Sequence, residues 1–275
     1  MATVPLNFES AGSGPPVLAL HGYGATLFSW RDLPAAMPER RVIRVDLPGH
    51  GGSPSRADGR YGPQDSAEAV KQFVDEQKLP PFDLIGHSLG GGVALSLALQ
   101  LCEQRPGALR SLVLLDSLAL PQRFPFFITI ARTPGVGPLS LRLLSPRFVT
   151  SVILRRAFYD PRRITPEMVE AYSPNLTTPE RREALTLTAR QLIPDNLPRL
   201  IEGYARLPVP TLLLWGEQDR IIDPNAGAEL NNRIPNSKLI YVERCGHIPH
   251  EERPEVALPH IAGFLTRRSS TDAKS

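Results

Sequence analysis

Six short runs rich in Val, Ile and Leu recur along the 275 residues, at 17–20, 42–45, 82–85, 111–115, 211–215 and 238–242. Helix-compatible stretches separate them. Strands that read as continuous apolar runs are buried on both faces, and helix-sized connections let neighbouring strands run parallel. The pattern predicts an α/β fold: a mostly parallel, doubly wound sheet covered by helices. Each run stops at a polar or glycine-rich junction: His21-Gly22, Asp46, Gly86-His87-Ser88, Asp116, Gly216-Glu217-Gln218-Asp219 and, just beyond the last, Cys245-Gly246-His247. Open sheets of this kind bind ligands beyond the carboxyl ends of their strands. These junctions should therefore share one rim and carry the chemistry.

The rhythm breaks between about 118 and 206, where prolines punctuate helix-like pieces at 139–158, 166–172 and 179–192. We read a helical cap over 118–205, inserted into a core formed by 1–117 and 206–275. The cap holds 12 arginines, no lysine and seven acidic residues, a net +5, while the remainder carries −2. A solvated arginine-rich face is the plain reading; a bias toward anionic substrates or surfaces is the functional one. The polar tail 266–275 is expected to fray.

Composition excludes several classes. A mean hydropathy of −0.15 with 21% charged residues describes a water-soluble globule, and no uncharged apolar run approaches the roughly 18 residues of a membrane span. The first ten residues lack a basic segment followed by an apolar one, so no secretory signal is visible and a cytoplasmic location is expected. A net charge of +3, from 31 basic and 28 acidic residues, is far from a nucleic-acid-binding stripe. Cys102 and Cys245 cannot make a disulfide framework and are read as free thiols. No H-E-x-x-H, C-x-x-C, P-loop or dinucleotide turn stands where a metal or cofactor would need it, so none is expected. The partner is a small molecule; monomer and homodimer are both open.

Gly86-His87-Ser88-Leu89-Gly90 fits G-x-S-x-G between a buried-strand run and a long apolar segment. That strand, sharp turn and helix is the context of a nucleophile elbow, which makes Ser88 the candidate nucleophile. A serine hydroxyl needs a base held by an orienting acid. Asp219 follows an apolar strand and His247 comes 28 residues later, giving the chain order Ser, Asp, His. Asp116, at an earlier strand end, is the rival acid. His250 and His260 are weaker rivals for the base, and His21, His50, His87 and Asp46 read as structural.

With His21-Gly22-Tyr23-Gly24, Asp46-Leu-Pro-Gly-His-Gly-Gly-Ser53, the Ser88 elbow, Trp215-Gly-Glu-Gln-Asp219 and Gly246-His247 in order, the chain resembles the α/β-hydrolase fold superfamily nearly end to end. Within it, the chain is similar to the small, lidded bacterial serine hydrolases. The resemblance implies about eight strands and an oxyanion hole from the backbone N–H groups of Tyr23 and Leu89; since only residues 4–9 precede the glycine-rich turn at 12–16, one outer strand is expected to be missing or abbreviated. Phe124, Phe126 and Phe127 of the cap, with Phe28 and Trp30, are expected to line an acyl or alcohol pocket.

The activity implied is hydrolysis of a carboxylic ester through an acyl-enzyme. A carbon–carbon bond hydrolase of vinylogous diketones shares the triad. Against it stand Leu89, where many of that branch have methionine, and an oxyanion loop reading His21-Gly-Tyr-Gly-Ala-Thr rather than one rich in glycine and proline. Lactone, thioester or amide hydrolysis and acyl transfer also remain open, and a ligand-sensing receptor is the non-enzymatic alternative.

Overall fold

The computed structural model describes residues 4–272. Seven strands form one sheet: β1 (Phe8–Ala11), β2 (Pro16–Leu20), β3 (Arg41–Val45), β4 (Phe82–His87), β5 (Leu109–Leu115), β6 (Thr211–Gly216) and β7 (Ser237–Val242), in the order β1-β3-β2-β4-β5-β6-β7. All neighbours run parallel except β1, which pairs antiparallel with β3, Phe8 opposite Val45 and Ala11 opposite Val42. The count is one below the expected eight because a single short strand precedes the turn into β2.

Side chains alternate across the strands, and each face has its own core. Leu18, Leu20, Leu84, Leu112, Leu114, Leu213 and Trp215 pack with residues of α2 (Pro63–Glu76) and α3 (Leu89–Gln104), such as Phe73, Val93 and Leu97. Val17, Ala19, Ile85, Val113, Leu115, Leu212 and Leu214 face the opposite side. There they meet Leu33 of the short α1 (Leu33–Ala36) and Ala257 and Ile261 of the C-terminal helix. Burial of each such side chain contributes about 1.5–3 kcal/mol. Strands apolar on both faces belong in this middle layer.

Between β5 and β6 the chain forms α4 (Phe126–Arg132), α5 (Val136–Leu143), α6 (Pro146–Ala157), α7 (Pro166–Tyr172), α8 (Pro179–Arg190) and α9 (Leu197–Tyr204). The single helix-like piece expected over 139–158 is two helices, broken at Ser145-Pro146, where Ser145 is extended (φ −59°, ψ 131°). Proline cannot donate an amide and drives the residue before it out of helical geometry. The last inserted helix returns to the core: Gly203 of α9 lies against Leu99 of α3, and Tyr204 joins the core on that side. Beyond β6 follow α10 (Asn225–Arg233), α11 (Pro249–Glu252) and α12 (Pro254–Asp272). Both cysteines are free, Cys245 buried and Cys102 half-buried.

Candidate active site

The turn out of β4 into α3 holds Ser88 in a backbone conformation that side chains disfavour, φ 52° and ψ −116°. Such strain costs about 1–3 kcal/mol and persists only where the surroundings enforce it. Here they do: the Ser88 amide donates to Leu115 O at 2.9 Å, and the Leu118 amide donates to Ser88 O at 2.9 Å. Two glycines permit the close approach. A Cβ on Gly90 would lie 2.4 Å from Leu20 O, and one on Gly22 would lie 2.8 Å from His87 Nδ1 and 3.2 Å from Ser88 Cβ. The start of α3 and the His21–Gly24 loop are thereby pressed together around the serine.

The loop after β6 delivers Asp219 and the loop after β7 delivers His247. Ser88 Oγ lies 2.9 Å from His247 Nε2, and His247 Nδ1 lies 2.8 Å from Asp219 Oδ2. The Ile221 and Ile222 amides donate to Asp219 Oδ1, at 2.7 and 3.2 Å, and fix its carboxyl plane. With Nδ1–H donating to Asp219, Nε2 is left as the acceptor that can take the Ser88 proton. Asp116, Asp219 and His247 offer atoms within 4.8 Å of one another, a spacing that could suit a cation, but both His247 nitrogens already have partners.

Asp116, the rival acid, makes no hydrogen bond to the imidazole, whose two nitrogens are taken by Asp219 and Ser88. It is fully buried in a left-handed conformation (φ 41°), and its Oδ1 accepts the Gly216 amide at 2.9 Å. Burial, and then the neighbouring Asp219 charge, push its carboxyl well above the usual range.

The remaining histidines have other employment. His21 Nε2 accepts the Leu47 amide at 3.0 Å and its Nδ1–H donates to Gly22 O; His50 Nδ1–H donates to Pro48 O. Burial lowers both, His50 to about 3 with help from His21. His87 Nε2–H donates to the His247 carbonyl at 2.7 Å, which makes it a brace for the loop carrying the imidazole. Burial, together with its histidine neighbours, holds His87 well below the ordinary range. His250 lies 2.8 Å from Ser29 Oγ, while His260 is exposed on α12. Asp46 accepts Asn7 Nδ2 and the Leu27 and Gly52 amides, so it ties loops together.

Two cavities meet above Ser88. One, of about 80 Å³, is lined by Ser88, His247, Tyr23, Leu89, Phe124 and Phe127 among others. A second, of about 380 Å³, shares Tyr23, Phe127, Ile153 and Ile248 with it and extends among α4, α5, α6 and α8, with Phe126 and Leu154 on its wall. No lysine or arginine lines either one. Leu89 opens α3, where helix amides have no partner within the helix, and Tyr23 follows the Gly22 contact with the elbow. Trp30 and Phe28 are corrected: neither lines these cavities. Trp30 is buried under the sheet, stacked on His250 with ring centroids 4.0 Å apart, and Phe28 packs edge-on against Tyr172. Both lie on a short 3-10 turn, Leu27–Trp30, whose direction no local pattern encodes.

Three residues given no role in the sequence reading hold the site together. Glu252, wholly buried, accepts the Gly246, Asp160 and Tyr159 amides at 2.7, 2.7 and 3.0 Å, binding the end of α6 to the His247 loop. The His247 amide adds a bond to Ala157 O at 2.7 Å. Glu251 accepts from Ser29, Tyr172 and Arg31. Asn175 donates to the Gly24 and Ala25 carbonyls and accepts the Gly51 amide. The doublet of acids directly after His247-Ile-Pro-His was the available signal for the two glutamates; Asn175 had none.

The Alpha/beta hydrolase family model matches residues 17–258. An uncharacterised hydrolase of Bacillus subtilis, YugF, is 31% identical over 90% of this chain and 89% of that protein. A 2-hydroxymuconate semialdehyde hydrolase of Pseudomonas sp. is 28% identical over 96% of this chain and 91% of its own. Among solved structures, a thermophilic esterase from Thermogutta terrifontis, with malate bound, superposes with a TM-score of 0.79 at 26% identity, covering 96% of this chain and 94% of its own.

Proposed function

The chain belongs to the alpha/beta hydrolase family, and from that premise we propose that it hydrolyses carboxylic esters through an acyl-enzyme on Ser88. The observation that carries this is the hydrogen-bonded series Ser88, His247, Asp219, at 2.9 and 2.8 Å, on an elbow whose backbone is strained in favour of an exposed Oγ. His247 Nε2 takes the Ser88 proton as Oγ attacks the carbonyl carbon. Asp219 keeps the proton on Nδ1 and stabilises the imidazolium, and the Tyr23 and Leu89 amides receive the oxyanion. His247 then protonates the departing alkoxide, and next takes a proton from the water that releases the acid.

Carbon–carbon hydrolysis is the second reading, favoured by the similarity to 2-hydroxymuconate semialdehyde hydrolase. A muconate carries a carboxylate, and a buried anion needs a charged or hydrogen-bonding partner. Cavities without a lysine or arginine suit an uncharged acyl chain better.

Initial rates on p-nitrophenyl esters from acetate to palmitate test the proposal, alongside Ser88→Ala and 2-hydroxymuconate semialdehyde. Turnover with a chain-length optimum, lost on the order of 10⁴-fold or more in Ser88→Ala, is the expected result. Ester activity that survives Ser88→Ala, or a folded protein that cleaves only the muconate, would overturn it.

A further inference from the structure

Among the described residues, every exposed large apolar side chain except Phe8 and Tyr241 lies between 126 and 159. Leu143 is 73% exposed, Phe126 59%, Phe148 58% and Leu139 56%, with Ile130 and Leu144 beside them in chain order. They come from α4, α5 and the start of α6, and soluble proteins rarely leave so many apolar side chains together in water without a use. Four of them, Phe126, Ile130, Leu144 and Phe148, also line the 380 Å³ cavity. The apolar surface is thus the outer rim of the space that leads, past Phe127 and Ile153, to Ser88.

The charge of the same stretch is one-sided. Between Asp116 and Asp160 the chain has no acidic residue and six arginines, Arg123, Arg132, Arg142, Arg147, Arg155 and Arg156. Where α5 meets α8, Arg142, Arg182 and Arg190 line one groove, with Glu183 the acid among them. Arg182 Nε donates to Leu176 O and Arg190 Nε to Arg132 O. None of the three forms an ion pair among the described residues, whereas Arg31, Arg56, Arg60, Arg105 and Arg233 elsewhere are matched to carboxylates. Arg147 of the same stretch is paired with Glu170, whereas Arg142, exposed on α5 between Leu139 and Leu143, is not; apolar side chains beside an unmatched guanidinium group complement a surface with a hydrocarbon interior and anionic headgroups. No described helix is long and apolar enough to cross a membrane, so such a face would lie on the surface.

We propose that the outer face of α4, α5 and the first turn of α6 docks on an anionic lipid surface. An uncharged acyl ester passes from that surface through the apolar cavity to Ser88. The route to Ser88 rests on the ester-hydrolase reading, while the docking is measured independently of it. Leu139 and Leu143 lie outside both cavities, so their substitution tests the surface alone.

The experiment is co-sedimentation with vesicles of phosphatidylcholine alone and with 30 mol% phosphatidylglycerol, for the wild type, Leu139→Glu/Leu143→Glu and Arg142→Glu. Turnover of soluble p-nitrophenyl butyrate and the sedimentation-velocity mass are recorded on the same samples. The expected result is binding that requires phosphatidylglycerol and weakens at high salt. It should fall on the order of tenfold or more in the double variant and about fivefold or more in Arg142→Glu, with butyrate turnover unchanged. Equal binding to both vesicles, binding indifferent to the variants, or a dimer that the double variant dissociates would overturn it; the last would assign the face to a second copy. Loss of butyrate turnover in Ser88→Ala alongside absent vesicle binding would reject the docking and keep the ester hydrolase.

Discussion

Two parts of the inserted helices are held differently, α6 to α7 with Asn175 and, nearer the start, α4 to α5. In the α6 to α7 part, polar groups fasten the insertion to the loops of the site. Glu252 gathers three amides from both sides of the junction, Glu251 reaches Tyr172, and Asn175 grips the Gly24–Ala25 backbone. In the α4 to α5 part, large apolar side chains stand in water around an apolar opening. Hydrogen bonds hold atoms to tenths of an ångström, and apolar surface tolerates sliding. The first part suits groups that must meet at 2.8–2.9 Å, and the second suits a substrate of variable shape. The contrast teaches that one insertion can serve precision and tolerance at once, divided along its length.

The largest effect should come from the fixed side. Asp219→Asn is expected to lower kcat by about 10⁴-fold, and Asp116→Asn by less than about tenfold because it never reaches the imidazole. Steady-state rates on one ester decide this, and equal losses would mean that the two carboxyls act as a unit. Next, Glu252→Ala strands three amides and should cost about 3 kcal/mol or more in urea unfolding, with kcat falling as the His247 loop loosens. A normal unfolding midpoint there would break the comparison.

On the open side, Ile153→Trp narrows the passage between the two cavities. Activity on p-nitrophenyl palmitate should drop about tenfold or more while acetate turnover stays near wild type. Loss of both alike would extend the fixed region along α6 as far as Ile153.

A smaller effect concerns pH. Folding raises the Asp116 carboxyl, so the folded state holds a proton that the unfolded chain releases near pH 4. Its contribution is complete below that pH and is lost as pH rises toward the folded value. Replacing Asp116 by Asn should therefore be less destabilising at pH 8 than at pH 4.5, read from unfolding midpoints at both. Smallest of all, Leu139→Glu should change stability by no more than about 0.5 kcal/mol, checked by thermal unfolding.

Much of this was legible before any coordinates. The six apolar runs become β2 to β7 within a residue or two; two-sided burial leaves this trace in β2, β4, β5 and β6, and the edge strand β7 keeps it in Leu239, Ile240 and Val242 although it is largely half-buried or exposed. The seventh strand escaped because Phe8–Ala11 is a largely exposed antiparallel edge with no such run. Ser88, Asp219 and His247 were readable because each sits at a strand end in fixed chain order. Asn175 was not, because its partners lie up to 151 residues away, and Glu252 left only the trace of an acidic doublet after His250, its α6 partners lying up to 93 residues away. Trp30 misled for a related reason: an indole satisfies a cavity wall and a core equally well on composition, and its stacking on His250 is a tertiary fact.

The Glu252 junction also bears on how such a chain diversifies. The stretch 121–145 contributes cavity wall, Phe124 and Phe127 among it, but among the described residues no hydrogen bond to Ser88, Asp219 or His247, whereas Glu252 ties the end of α6 to the His247 loop. The insertion thus divides into a part that shapes the opening and a part bonded to the His247 loop, and a chimera carrying another hydrolase's stretch at 121–145 should differ from this chain in chain-length preference more than in its maximal rate on a short ester.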